Sequence, residues 1–133
     1  MTNDWVLDNE SRIFTIIYGM CITPLRALFP KVRFTTSDET PVTQFPTVYI
    51  HELGNSELGR DTEQKTINVI TTTFEVRVTV NTEKADSVTI MKYLLNAFKE
   101  LGFEGYALPA TKTEDGMYIS TARFRGKVTN GVQ

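Results

Sequence analysis

From Thr71 to Val80 the chain reads TTTFEVRVTV, and from Phe74 onward apolar and polar side chains alternate without a break. Successive side chains of a strand leave opposite faces, so Phe74, Val76, Val78 and Val80 point one way. Thr71, Thr73, Glu75, Arg77 and Thr79 point the other. A strand of this kind belongs to a sheet with one apolar face to be covered and one polar face to be left open. The strand as a whole reads over residues 66–81, longer than an ordinary strand, which predicts that part of it projects from the domain. Ile67 and Val69 fall on the opposite parity, which predicts a bulge or twist near Ile70.

The flanking segments supply the remaining elements. Asp8 and Asn9 are caps for a helix running to about Thr23, with Pro24 disturbing or ending it. Ile13, Phe14, Ile16, Ile17, Tyr18, Met20, Cys21 and Ile22 occupy more than one face of that helix, so it is expected to be covered on more than one side. Residues 31–36 alternate Val32 and Phe34 with polar neighbours, a short strand. Residues 37–44 form a loop, and Pro46 opens a strand through Leu53 at a position that tolerates a missing N–H. Residues 54–64 read as a long polar loop. Asp86 or Ser87 caps a second helix to about Leu101, where Val88, Met91, Leu94, Leu95 and Phe98 keep helical spacing and Gly102 ends it. Strands over 103–111 and 117–129 follow, joined by a turn at Glu114-Asp115-Gly116, and residues 130–133 form a tail. The expected fold is α+β: a single mixed, mainly antiparallel sheet with two helices packed on one face.

A chain of 133 residues makes one domain with a sizeable core. No apolar run reaches the roughly 20 residues of a membrane helix. The acids of MTNDWVLDNESR precede the first apolar stretch, the reverse of a secretory leader, and a lone cysteine cannot form an internal disulfide. Both point to a protein folded in a cytoplasm, with no membrane partner. A formal net charge of -2 argues against nucleic-acid binding as the main task.

The inventory for chemistry is short. His51, the single histidine, lies on a strand with no second histidine to complete a zinc site or relay, and reads as a half-exposed strand residue. Cys21 sits in an apolar helical run without a nearby base, as an inert core thiol. Glu52, Glu57, Asp61 and Glu63 cluster in and beside the 54–64 loop, but the glycines do not sit in an EF-hand pattern. The cluster fits a solvated loop, or one that pairs with basic side chains of a neighbouring subunit. Arg123, Arg125 and Lys127 share one face of the last strand, while the aromatic Phe124 points to the other, unlike a nucleic-acid platform. That stripe is expected to face Glu75 and neighbouring acids. The glycine pairs Gly54 with Gly59 and Gly102 with Gly105 lack any phosphate-loop pattern and read as turns. No catalytic constellation, metal site or cofactor site emerges, and an enzyme is not expected.

The run Phe45-Pro46-Thr47-Val48-Tyr49-Ile50-His51-Glu52-Leu53 resembles the FP-x-V-x-hydrophobic-x-E opening of tail terminator proteins of long-tailed phages of Gram-positive bacteria, also called tail-to-head joining or tail completion proteins. The similarity continues through Gly59-Arg60-Asp61, Ile67-Asn68, the helix with Met91 and the closing Ala122-Arg123-Phe124-Arg125, with Ser11-Arg12-Ile13-Phe14-Thr15 upstream. It covers most of the chain in order. The resemblance implies a virion protein that closes as a homohexameric ring on the finished tail tube, stops its polymerisation and offers a docking surface to the head connector. DNA would pass through the channel without specific binding. Glu57, Arg60, Asp61, Glu63, Arg123 and Arg125 are then the expected ring or tube contacts. Rival expectations are another neck component such as a head-tail stopper, a tail tube subunit, or a small α+β binding module.

Overall fold

The computed structural model describes residues 3–38, 42–60 and 66–129. The alternating segment is strand β3 (Ile67–Val80), the middle strand of a five-stranded sheet in the order β1-β2-β3-β5-β4. Its neighbours are β2 (Thr47–Arg60) and β5 (Met117–Thr129), both antiparallel to it, and the edges are β1 (Arg33–Thr35) and β4 (Glu104–Glu114). Only β1 runs parallel to its neighbour, so the sheet is mixed and mainly antiparallel. A short helix α1 (Asp4–Leu7) and two long helices, α2 (Asn9–Leu28) and α3 (Lys84–Glu100), complete the α+β fold.

Parity along β3 decides the core. Ile70, Phe74, Val76 and Val78 are fully buried and meet Val48 and Ile50 of β2 and Phe124 and Val128 of β5, beneath α2 and α3. Phe98 of α3 is the hub of an aromatic cluster, stacked on Phe124 at 4.6 Å and edge-on to Phe103 at 5.3 Å. Such pairs add about 0.5–1.5 kcal/mol beyond the area they bury.

The anticipated bulge lies on the partner strand. β3 keeps an unbroken register against β5 from Val69 to Val80, whereas β2 slips against β3 between Glu52 and Gly54 and again on either side of Gly59. Ile70 shares the buried parity of Phe74. Only Ile67 and Asn68 reach beyond the β5 ladder, so little of the described strand projects. The 54–64 segment is corrected as well, because Gly54 to Arg60 continue β2 as strand and pair with β3. Residues 61–65 and the expected tail at 130–133 lie outside the described residues.

Helix α2 runs through Pro24 to Leu28. Proline cannot donate to the Met20 carbonyl. Yet Leu25 is fully buried, and Phe29 N–H closes the last turn on Leu25 O at 2.7 Å, so packing carries the helix past the break. Its buried stripe is single, Ile13, Ile17, Cys21 and Leu25. The second apolar row is only half covered, with Tyr18 edge-on to Phe34 of β1 at 5.2 Å. Asp8 precedes the helix without a side-chain capping bond. α3 starts earlier than expected, with Glu83 at its N-cap; Asp86 instead accepts the Thr82 hydroxyl, and Ser87 donates to Lys84 O. Gly102 ends that helix region at φ +90, and Asp115 and Gly116, both at positive φ, make the two-residue turn between β4 and β5.

Candidate assembly surface

With both long helices on one side of the sheet, the other side carries the polar parity of the central strands β3 and β5. Thr71, Thr73, Glu75 and Arg77 stand on β3 and Thr121, Arg123, Arg125 and Lys127 on β5, none of them buried. The register sets Arg123 directly opposite Glu75. Their side chains meet at 3.2 Å, the cross-strand pair expected from parity. Such pairs contribute about 0.2–1 kcal/mol, so this one orients the arginine more than it holds the fold.

Next to this pair lies a shallow open depression of about 510 Å³, lined by Leu53, Gly54, Asn55, Ser56, Thr71, Thr73, Arg123 and Arg125. Leu53, the extra residue of the first β2 bulge, is 45% exposed at its rim. The bulge changes which β2 residues face this side. Before it Glu52 pairs with Phe74; beyond it Asn55 pairs with Thr72 and Glu57 with Ile70. Odd-numbered β2 residues thus move to the helix side, and Gly54 and Ser56 come to the open side.

The expected contact residues therefore separate. Arg123 and Arg125 share the depression. Glu57 is exposed but stands on the face of Ile70, away from the arginines. Arg60 ends β2 opposite Ile67, and Asp61 and Glu63 lie outside the described residues.

At the far end of the same face Arg77 pairs with Asp38 and lies 4.7 Å from the centre of the Tyr49 ring. Burial, with Asp38 adding to it, pushes the Tyr49 phenol above its ordinary range. His51 stacks on Tyr49 at 5.7 Å, and its Nδ1 lies 2.9 Å from Glu10 Oε2.

A polar knot that the sequence did not announce joins α2 to the β2 bulge. Glu10 Oε2 accepts Glu52 N–H at 2.8 Å, covering the free edge of β2 beyond the end of β1. The Glu52 carboxylate accepts from Thr72 Oγ1 at 2.6 Å, Asn9 Nδ2 at 2.7 Å and Asn55 Nδ2 at 3.1 Å. Asn9 and Thr72 are fully buried. A carboxylate with this many donors has its buried charge compensated.

Among the described residues no three His, Cys, Asp or Glu stand together as a metal site. No described helix is long and apolar enough to cross a membrane. Cys21 is buried, and desolvation pushes its thiol up to about 11. No protein-family model matches the chain, and no curated protein matches it either.

Proposed function

We propose that this protein is a virion assembly subunit, a tail terminator that closes as a ring on the tail tube, ends tube growth and presents a surface to the head connector. The observation that carries the reading is the face of the sheet that the two long helices leave open among the described residues. Both long helices cover one side, and the other exposes threonines and paired charges around a depression flanked by Arg123 and Arg125. A β-sheet face this broad and polar suits contact with a large partner better than enclosure of a small one.

The motif order from Ser11 to Arg125 supports the same reading, and the formal net charge of -2 suits a wall along which DNA slides without adhering. In this proposal the open face, with Arg123 and Arg125, meets the tube protein, and Arg60, which ends β2, adds contacts together with Asp61 and Glu63, which follow it in the chain.

The test combines size-exclusion chromatography with light scattering and negative-stain imaging, with and without polymerised tail tubes. Closed rings, or a monomer that becomes a ring on tube ends, are expected. Long open tubes formed by the protein itself identify a tube subunit instead. A monomer indifferent to tubes overturns the assignment.

A further inference from the structure

The two ends of the helical layer carry unlike surfaces, one protruding and one recessed. At one corner stands Leu7, the most exposed large apolar side chain among the described residues at 85%. It ends α1, which is fastened to the hairpin of β2 and β3. Trp5 Nε1 donates to Ile67 O at 3.1 Å, and Ile67 N–H donates to Asn3 Oδ1 at 2.9 Å. Leu7 is thus held outward on an anchored element, with the exposed acids Asp4 and Asp8 on either side in the chain.

At the other corner, between α3 and the β4–β5 hairpin, lies a slot of about 130 Å³ lined by Val88, Met91, Lys92, Leu95, Thr111 and Ser120. A cavity of about 150 Å³ admits a benzene, so this one has room for a branched aliphatic side chain. Ser120 is 1% exposed, and its Oγ has no hydrogen-bond partner. Buried hydroxyls without partners are uncommon, which marks the floor of the slot as incompletely satisfied. Along α3 the row Val88, Lys92, Leu95 and Lys99 follows helical spacing, with both lysines exposed.

The corners are diagonal. α1 lies against the β2 side at the level of Ile67. The slot lies on the β4 side at the level of Val78, the register partner of Ser120. Eleven positions of β3 separate these levels, roughly 35 Å along the strand. A chain cannot close this contact on itself, but a second copy can. We infer that Leu7 of one copy seats in the Val88–Leu95 slot of the next, with Asp4 and Asp8 against Lys92 and Lys99. Such a contact joins two different surfaces of the same chain, and it closes into a ring where the rotation permits. The inference rests on the ring-forming reading above and names its subunit contact.

Two measurements test it on the full chain. Leu7→Asp, at a site exposed in the single chain, is expected to keep the far-ultraviolet spectrum. It should weaken self-association in sedimentation equilibrium by about tenfold or more, since seating a leucine is worth at least that factor. The double variant Leu7→Cys with Leu95→Cys, oxidised by copper–phenanthroline, is expected to give a ladder of trimers and larger covalent species. Each single variant should stop at a dimer. Unchanged association of Leu7→Asp, or a double variant giving no species beyond dimer, overturns the contact. Rings that still cap tubes with Leu7→Asp overturn this contact and leave the terminator assignment standing. A ladder from a chain that never caps tubes supports the contact and removes the terminator assignment.

Discussion

Gly126 offers a direct check of how the core is packed. It lies on β5 opposite Thr72, on the parity that faces the helices. A Cβ placed there would sit 2.8 Å from Phe103 Cγ and 2.9 Å from both Cδ atoms. These are the near atoms of the ring, so the whole ring must move. Phe103 is 1% exposed and wedged edge-on against Phe98 at 5.3 Å and Phe74 at 6.1 Å. Forcing an extra methyl into such packing costs about 1–3 kcal/mol. Replacing a strand glycine returns about 0.5–1 kcal/mol of backbone entropy. The steric cost is the larger, and Gly126→Ala should destabilise the fold by about 1–2 kcal/mol. In a domain of this size that lowers the melting temperature by roughly 3–8 °C. Urea unfolding followed by circular dichroism should show a lower midpoint with an unchanged slope. Phe103→Leu, which shrinks the obstructing ring, should make the same glycine substitution less damaging in a double-mutant cycle. A Gly126→Ala protein as stable as the parent, or one whose loss is unaffected by Phe103→Leu, refutes the close approach of ring to backbone.

Thr72→Val removes one of three donors to the Glu52 carboxylate at constant shape, and should cost about 1–3 kcal/mol in urea unfolding, with Thr72→Ser close to the parent. Cys21 should resist iodoacetamide in the native state and react once urea is added. Because its folded value is raised from 9.0 to about 11, the unfolded chain gives up the thiol proton first. Stability from this group is full below pH 9.0 and falls as pH rises towards 11, which melting curves against a Cys21→Ala control should show. Arg123→Ala with Arg125→Ala should change stability by no more than about 1–2 kcal/mol while abolishing tube-end binding in a pelleting assay. Replacing Arg60, Asp61 and Glu63 together by Ala should weaken assembly in the same assay and leave the melting temperature within a few degrees.

What could be read beforehand follows from how strongly each segment commits itself. The Phe74–Val80 alternation and the Val88–Phe98 spacing each satisfy one period; the strand formed where expected, and the helix formed over that spacing but began at Lys84, ahead of the expected cap. At Pro24 the local rule favoured a stop, but Leu25 lies in the core, and tertiary packing outweighed it. Gly54, Asn55, Ser56 and Gly59 are turn formers by composition. They are strand because β3 offers them a ladder, with bulges absorbing the mismatch. No period reports a bulge on a partner strand, so the reversal of faces after Leu53 was invisible, and with it the separation of Glu57 from the arginines. The Arg123–Glu75 pair needed only parity and was legible. The knot of Asn9, Glu10, Glu52 and Thr72 spans distant parts of the chain and has no local signature.

The strand order carries a consequence for biosynthesis. β5, made after every other strand of the sheet, sits between β3 and β4. While a ribosome is still delivering it, β3 has one vacant side and β4 has no described partner. The aromatic cluster also lacks Phe124, on which Phe98 stacks. The nascent chain therefore exposes an apolar surface until almost the whole domain has emerged, and a stalled or truncated chain would be sticky rather than partly native. Docking of β5 is therefore the step that closes the core, and the stability of the domain waits on the last strand to be made.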